Sequence, residues 1–273
     1  MDKSAIPTLD LRTSAKESAR AARISALKMT SAAKTSHIGS CLSVIDVLAT
    51  LFVIKQREPK HSKDNIILSK GHAAAALYSV LDNLKLLDFN LIDFCKNGSQ
   101  LYGHINHHAN SEIPLSTGSL GHGLPFGLGM ALADKKKDSP SRTYVIVSDG
   151  ELNEGTTWES ALVAGHHRLK NLTVIIDRNR IQSLGFTEEI SSLDPIAPKW
   201  EAFGWATIEL NGHDIDAIVD ALNIEYDKPL CIIANTLKGK GVSFMENTLE
   251  WHYKSASPEE LTAALREVSE DSL

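Results

Sequence analysis

The run TYVIVSDG, residues 143–150, constrains this chain more than any other stretch. It opens on β-branched and aromatic residues with no polar alternation, the pattern of a strand covered on both faces. It stops abruptly in an acid and a glycine. A helical segment at about 156–169 follows, and then a second strand, NLTVIID (171–177). A strand–helix–strand unit of this kind joins two parallel strands. Further strands are expected at 65–69, at about 205–210 and at 230–235. Helices are expected at about 9–33, 44–54, 73–87, 91–97, 121–136 and 214–224. A last helix is opened by Ser257, Pro258 and Glu259, a cap, a first-turn proline and an acid. The alternation predicts an α/β fold, a parallel β-sheet with helices on both faces. We expect a single domain over residues 1–273, with a loose N-terminal tail at 1–8 and a C-terminal extension at about 238–273. The polar stretch 98–120 is too long for a passive connection, which marks it as functional or mobile.

Composition narrows the function. A formal net charge of -6 speaks against a general nucleic-acid surface. The one short basic run, 135–137, falls at a helix C-terminus, where cations suit the dipole. The three cysteines, Cys41, Cys95 and Cys231, are scattered and form no C-x-x-C pair. That fits a reducing cytoplasm and no disulfide framework or structural zinc. No run approaches the roughly 18 apolar residues of a membrane span, and the start MDKSAIPTLD is too polar for a secretory signal. A cytoplasmic protein with no membrane or nucleic-acid partner is expected.

In parallel sheets, ligands bind beyond the C-terminal strand ends. Asp149 stands at one such end, and Asp177 and Asn179 at the next, in IIDRNRIQSLG (175–185). If the strands are close, Asp149 and Asn179 reach one crevice. A carboxylate, an amide oxygen and the Ile181 carbonyl would suit Mg²⁺ or a similar divalent ion such as Ca²⁺ or Mn²⁺, with phosphate oxygens completing its shell. Gly150 would let the backbone approach a diphosphate closely, and the next helix points its free N–H groups the same way. Taken alone, Asp149 could equally cap that helix and Asn179 make a turn.

The series SHIGS (36–40), SKGHAAAALY (69–78), YGHIN (102–106), STGSLGHGL (116–124), SDGELNEG (148–155), DRNRIQ (177–182), KGKG (238–241) and WHY (251–253) resembles the transketolase family, in the order found there. The resemblance runs from about residue 10 to 270 and covers the N-terminal, diphosphate-binding domain. It implies thiamine diphosphate as cofactor with Mg²⁺ on Asp149, Asn179 and Ile181. It further implies that His72, Gly118, Leu120, Gly150, Glu154 and His252 contact the cofactor or its surroundings. His37, His104 and His252 would line the substrate channel, and Glu154 would join an acid network between subunits. In the family a glutamate on a second, pyrimidine-binding domain activates the cofactor. This chain ends where the first domain closes, so a separate C-terminal subunit is expected to supply it, in an α2β2 assembly. The implied reaction moves a two-carbon ketol unit from a ketose, phosphorylated in the usual case, to an aldose. Two other readings stay open: a 2-oxo acid decarboxylase or dehydrogenase component or deoxyxylulose-phosphate-type synthase, and a non-catalytic diphosphate-binding module.

Five positions depart from the family pattern. Ile38 and Ile105 replace prolines, His122 replaces a glutamine, Ser148 replaces a glycine, and Tyr253 stands where glycine is common. They put the usual pentose phosphates in question. The remaining histidines, His61, His107, His108, His166, His167 and His213, carry no ligand spacing and read as surface or structural residues.

Overall fold

The computed structural model describes residues 8–270, with side chains from residue 11 onward. Most of the expected tail, 1–7, lies outside the described residues, and Thr8 already belongs to a helix. Five strands form one parallel sheet: β1 (Asn65–Leu68), β2 (Thr143–Ser148), β3 (Leu172–Arg178), β4 (Ala206–Asn211) and β5 (Leu230–Asn235). Their order is β1-β2-β3-β5-β4. The expected α/β architecture is what is observed.

Every residue of β2 and β3 is buried, as the unbroken apolar runs require. Alternate side chains feed two separate cores. Tyr144, Ile146, Ile175 and Ile232 point to one face, while Val145, Val147, Val174 and Ile176 point to the other. The first face is covered by α1 (Thr8–Ala33), α2 (Ile38–Arg57), α3 (Ala74–Asn83), α8 (Ile215–Asn223) and α9 (Pro258–Glu270). The second is covered by α4 (Gly123–Lys136), α5 (Gly155–His166) and α7 (Ile196–Ala202). A single turn, α6 (Thr187–Ile190), follows β3.

Helix α2 begins six residues before the expected 44–54 segment, because Gly39, Ser40 and Ser43 pack inside it. Length and composition would let it cross a membrane, yet almost all of it is buried in the core. One polar group ties it down. Asp46 takes a bidentate pair from Arg23 (2.9 and 2.5 Å) and a contact from His213 Nδ1 (2.7 Å). His213 Nε2 in turn accepts from the Leu237 N–H (2.8 Å). The helix expected at 91–97 shrinks to a 3₁₀ turn, Leu91–Asp93.

The 98–120 stretch holds a single 3₁₀ turn, His107–Ala109, and is pinned to the tip of β1. The Ile105 N–H donates to the Gly71 carbonyl (3.2 Å), and the Thr117 hydroxyl to the Leu68 carbonyl (2.7 Å). A Cβ on Gly71 would lie 2.2 Å from the Thr117 carbonyl oxygen, so only glycine permits this approach.

Candidate active site at the strand tips

The registry of β2 and β3 sets Ser148 opposite Asp177. Asp149 therefore emerges beside residues 177–182, and its N–H donates to the Asp177 carbonyl (3.2 Å). The Asp149 side chain is 1% exposed. Its carboxylate accepts from the Gly150 N–H (2.8 Å) and the Arg180 N–H (2.5 Å). Asn179 Oδ1 accepts from the Ile181 N–H (3.1 Å), and its Nδ2 donates to Asp177 (3.2 Å). Asp149, Asn179 and Ile181 thus share one crevice, as the spacing required. Burial, then the charge of Asp177, pushes the Asp149 carboxyl up to about 6. An acid raised in this way is one that an added cation would stabilise. A Cβ on Gly150 would come 3.0 Å from Gln182 Cβ, and Gln182 Nε2 is buried with no partner among the described residues.

Two buried lysines, which motif spacing does not single out, complete the crevice. Lys70, at the tip of β1, pairs with Asp177 and donates to the Ser40 carbonyl (3.1 Å). Lys238 donates to the Ile181 carbonyl (3.0 Å) and to His252 Nδ1 (2.7 Å). Their relative exposures are 0% and 1%. Burial would raise the Asp177 carboxyl, but the Lys70 charge outweighs it and holds it down. Burial, then repulsion from Lys70, lowers the Lys238 ammonium to about 7. Both lysines sit within the segments SKGH and KGKG, next to a strand tip or a glycine turn. That position is the signal available for finding them.

Above the crevice lies a cluster of imidazoles. The His37 ring centre is 4.9 Å from His252, 5.1 Å from His72 and 6.0 Å from His104. His37 caps α2 in a left-handed conformation (φ 75°), and its buried Nδ1 has no partner among the described residues. Burial, then His104 and the lysines, lowers His37 to about 4, while burial, then Lys238, lowers His252 to about 3. His72 is pushed well down, by burial first and then by Lys70. These three rings are neutral at pH 7 and act as hydrogen-bonding groups. The linkage to folding follows. The unfolded chain protonates these rings below 6.5, while the folded chain does not until about 4 and lower. The contribution of these rings to stability is therefore full above pH 6.5 and is lost as pH drops toward 4. Thermal unfolding measured across that range should show a midpoint that declines well above the carboxylate region, and His37→Phe should flatten the decline.

His104 borders Gly118, whose added Cβ would meet its ring at 3.2 Å, and Leu120 is half-buried nearby in the chain. Glu154 is exposed beside Gly121. Residues 14–269 match the family described as transketolase, thiamine diphosphate binding domain. The chain belongs to the transketolase family. It is 41% identical over 243 residues to one of the subunits of the apulose-4-phosphate transketolase of Actinobacillus succinogenes, across 86% of this chain and 88% of that one. It is 36% identical over 247 residues to human transketolase, across 88% of this chain and 39% of that one. The transketolase structure from Campylobacter jejuni superposes with a TM-score of 0.82 at 26% identity, covering 96% of this chain and 43% of that one. The chain spans about two fifths of these last two transketolases.

The departures from the transketolase pattern divide sharply. Ile38 and Ile105 are buried in the first core, so they face apolar side chains and not the channel. Ser148 is buried, and its hydroxyl accepts from the Glu151 N–H (3.3 Å) at the start of the following turn. His122 is exposed, with Nδ1 against the Leu120 carbonyl (3.0 Å). The expected bland roles also hold for two histidines, since His61 pairs with Asp64 (2.6 Å) and His213 with Asp46.

Proposed function

We propose that this chain is the N-terminal subunit of a two-chain transketolase, which transfers a two-carbon ketol unit from a ketose phosphate to an aldose. One observation carries the reading: a buried acid, amide and carbonyl set beside two buried lysines, directly beneath four clustered histidines. The donor set fits Mg²⁺ with thiamine diphosphate. Asp149, Asn179 and the Ile181 carbonyl would hold the ion. Lys70 and Lys238 would balance the diphosphate charge, with His72, Gly118, Leu120, Gly150, Glu154 and His252 around the cofactor. Lys238 donates to the Ile181 carbonyl in this structure, so it would share or give up that oxygen if the ion took it. The cofactor supplies the electron sink for the carbon–carbon bond that breaks.

The chain's own residues orient and exchange protons. Neutral His37 and His252 both donate and accept, and with the His104 ring beside them they suit a polyhydroxylated substrate. Lys238 donates to His252 Nδ1, which leaves the His252 proton on Nε2, free to meet a sugar hydroxyl. The inner rings His37, His72 and His252, kept neutral by burial, offer no fixed charge to the carboxylate of a 2-oxo acid. The extent of the match also supports the reading. Relatives that the chain covers over 88% of their length are named as single subunits of a transketolase. The partner would supply the activating glutamate, in an α2β2 assembly with Glu154 facing a neighbouring subunit. The three free cysteines suit a cytoplasmic setting.

The test is reconstitution. This chain and a C-terminal transketolase chain are assayed separately and mixed, with Mg²⁺, thiamine diphosphate and a ketose phosphate donor. Ketol transfer is expected in the mixture alone. Transfer by the isolated chain would overturn the two-chain reading, and inactivity of the mixture on every ketose would overturn the reaction.

A further inference from the structure

Of the five departures from the family pattern, Tyr253 is the one whose side chain packs on the histidine cluster. Its ring centre lies 4.7 Å from His252 and 6.0 Å from His37. It is 59% exposed, while His252 is 7% exposed. Tyr253 therefore forms the outer, solvent-facing edge of a wall whose inner edge is His252. The position is held from both sides of the chain. The Tyr253 N–H donates to the Glu250 carbonyl (3.2 Å), and the Lys254 ammonium pairs with Glu250 and Glu260 and sits 4.6 Å over the Trp251 ring. Trp251 itself is buried, with its indole N–H on the Phe244 carbonyl (3.0 Å). The aromatic side chain is thus carried on an anchored turn.

The spacing has a steric meaning. Carbon atoms in contact sit about 3.5–4.0 Å apart, so a carbon chain passing between two ring faces needs about 7 Å or more from ring to ring. The Tyr253–His37 separation of 6.0 Å is below that. A carbon chain does not fit between the Tyr253 and His37 rings, so Tyr253 narrows the outer approach to His37. A glycine at 253 would leave that flank open.

We infer that Tyr253 is a specificity-determining residue, which closes one flank of the channel and selects short-chain ketose phosphates over longer ones. The inference rests on the ketol-transfer reading and names the substrate class for it. Ile38 and Ile105 cannot play this part, because both are buried in the core.

The experiment uses the reconstituted two-chain enzyme with Tyr253→Gly and Tyr253→Phe. Two donors are compared, a five-carbon and a seven-carbon ketose phosphate, with a common aldose acceptor. Wild type should prefer the shorter donor. Tyr253→Gly should raise kcat/KM for the longer donor relative to the shorter by about tenfold, equivalent to ~1.4 kcal/mol. Tyr253→Phe keeps the ring and should keep the preference. An unchanged donor ratio in Tyr253→Gly, with wild type active, overturns the inference and leaves the reaction standing. A ratio that shifts equally in Tyr253→Phe also overturns it, since the hydroxyl and not the wall would then be selecting. If wild type cleaves neither donor, the ketol-transfer reading falls first and takes the inference with it.

Discussion

Asp149→Ala should abolish Mg²⁺-dependent thiamine diphosphate binding in the assembled enzyme while leaving the domain folded. Of the two acids in the crevice, Asp149 is the one whose charge is not already matched by a contacting lysine. Asp177 is paired with Lys70, and its carboxyl is held down; Asp149 receives only backbone N–H groups, and its carboxyl is pushed up to about 6. A hard divalent ion draws its affinity from such a carboxylate. Loss of outer-sphere partners alone weakens metal sites by about 10- to 100-fold, so loss of Asp149 as the proposed direct ligand should exceed about 100-fold. The fold should survive, because removing Asp149 relieves repulsion with Asp177 and leaves only two N–H groups without their acceptor. Calorimetric titration of cofactor with and without Mg²⁺, beside a thermal unfolding curve, reads both parts. Wild-type affinity in the variant would return Asp149 to the role of a turn cap.

Asp46→Ala should destabilise the domain by about 3–5 kcal/mol, the range for removing one partner of a buried ion pair. Burial would raise the Asp46 carboxyl, but the Arg23 charge and the His213 contact outweigh it and hold it at about 2. Removing it strands the buried Arg23 guanidinium among the apolar faces of α1 and α2 and leaves His213 Nδ1 without its acceptor. Effects then reach the site. His213 Nε2 holds the Leu237 N–H, one residue before Lys238. The variant should lose cofactor affinity as well as stability. Denaturant unfolding gives the stability, and a change below about 1 kcal/mol would show that the pair is not structural.

The strands were legible in the sequence because a doubly covered parallel strand leaves an unbroken apolar run; 143–148 and 230–235 match to the residue. That Asp149 and Asn179 share a crevice was legible because they stand at the ends of neighbouring strands. Lys70 and Lys238 were not, because a lysine reads as a surface residue until its neighbours are known. Lys70 meets Asp177 across 107 positions, and only the sheet order brings them together. The short helices α6 and α7 were missed for another reason. They are too brief for a periodic pattern, and α7 opens just after Pro195 and contains Pro198.

The residues that would hold the metal and the diphosphate hang from β1, β2 and β3 and the turn after β5, while two of the proposed channel residues, His104 and His252, ride on 98–120 and 238–256. These two supports open on different scales. Amides of β2 and β3, buried on both faces and paired on both edges, exchange with solvent only when the whole domain unfolds, whereas surface loops open locally at small cost. The anchoring half of the site is therefore as durable as the protein itself, and hydrogen exchange should find it silent while the substrate-facing half breathes. Evolution could remodel the sugar that enters without disturbing the anchor that holds the chemistry.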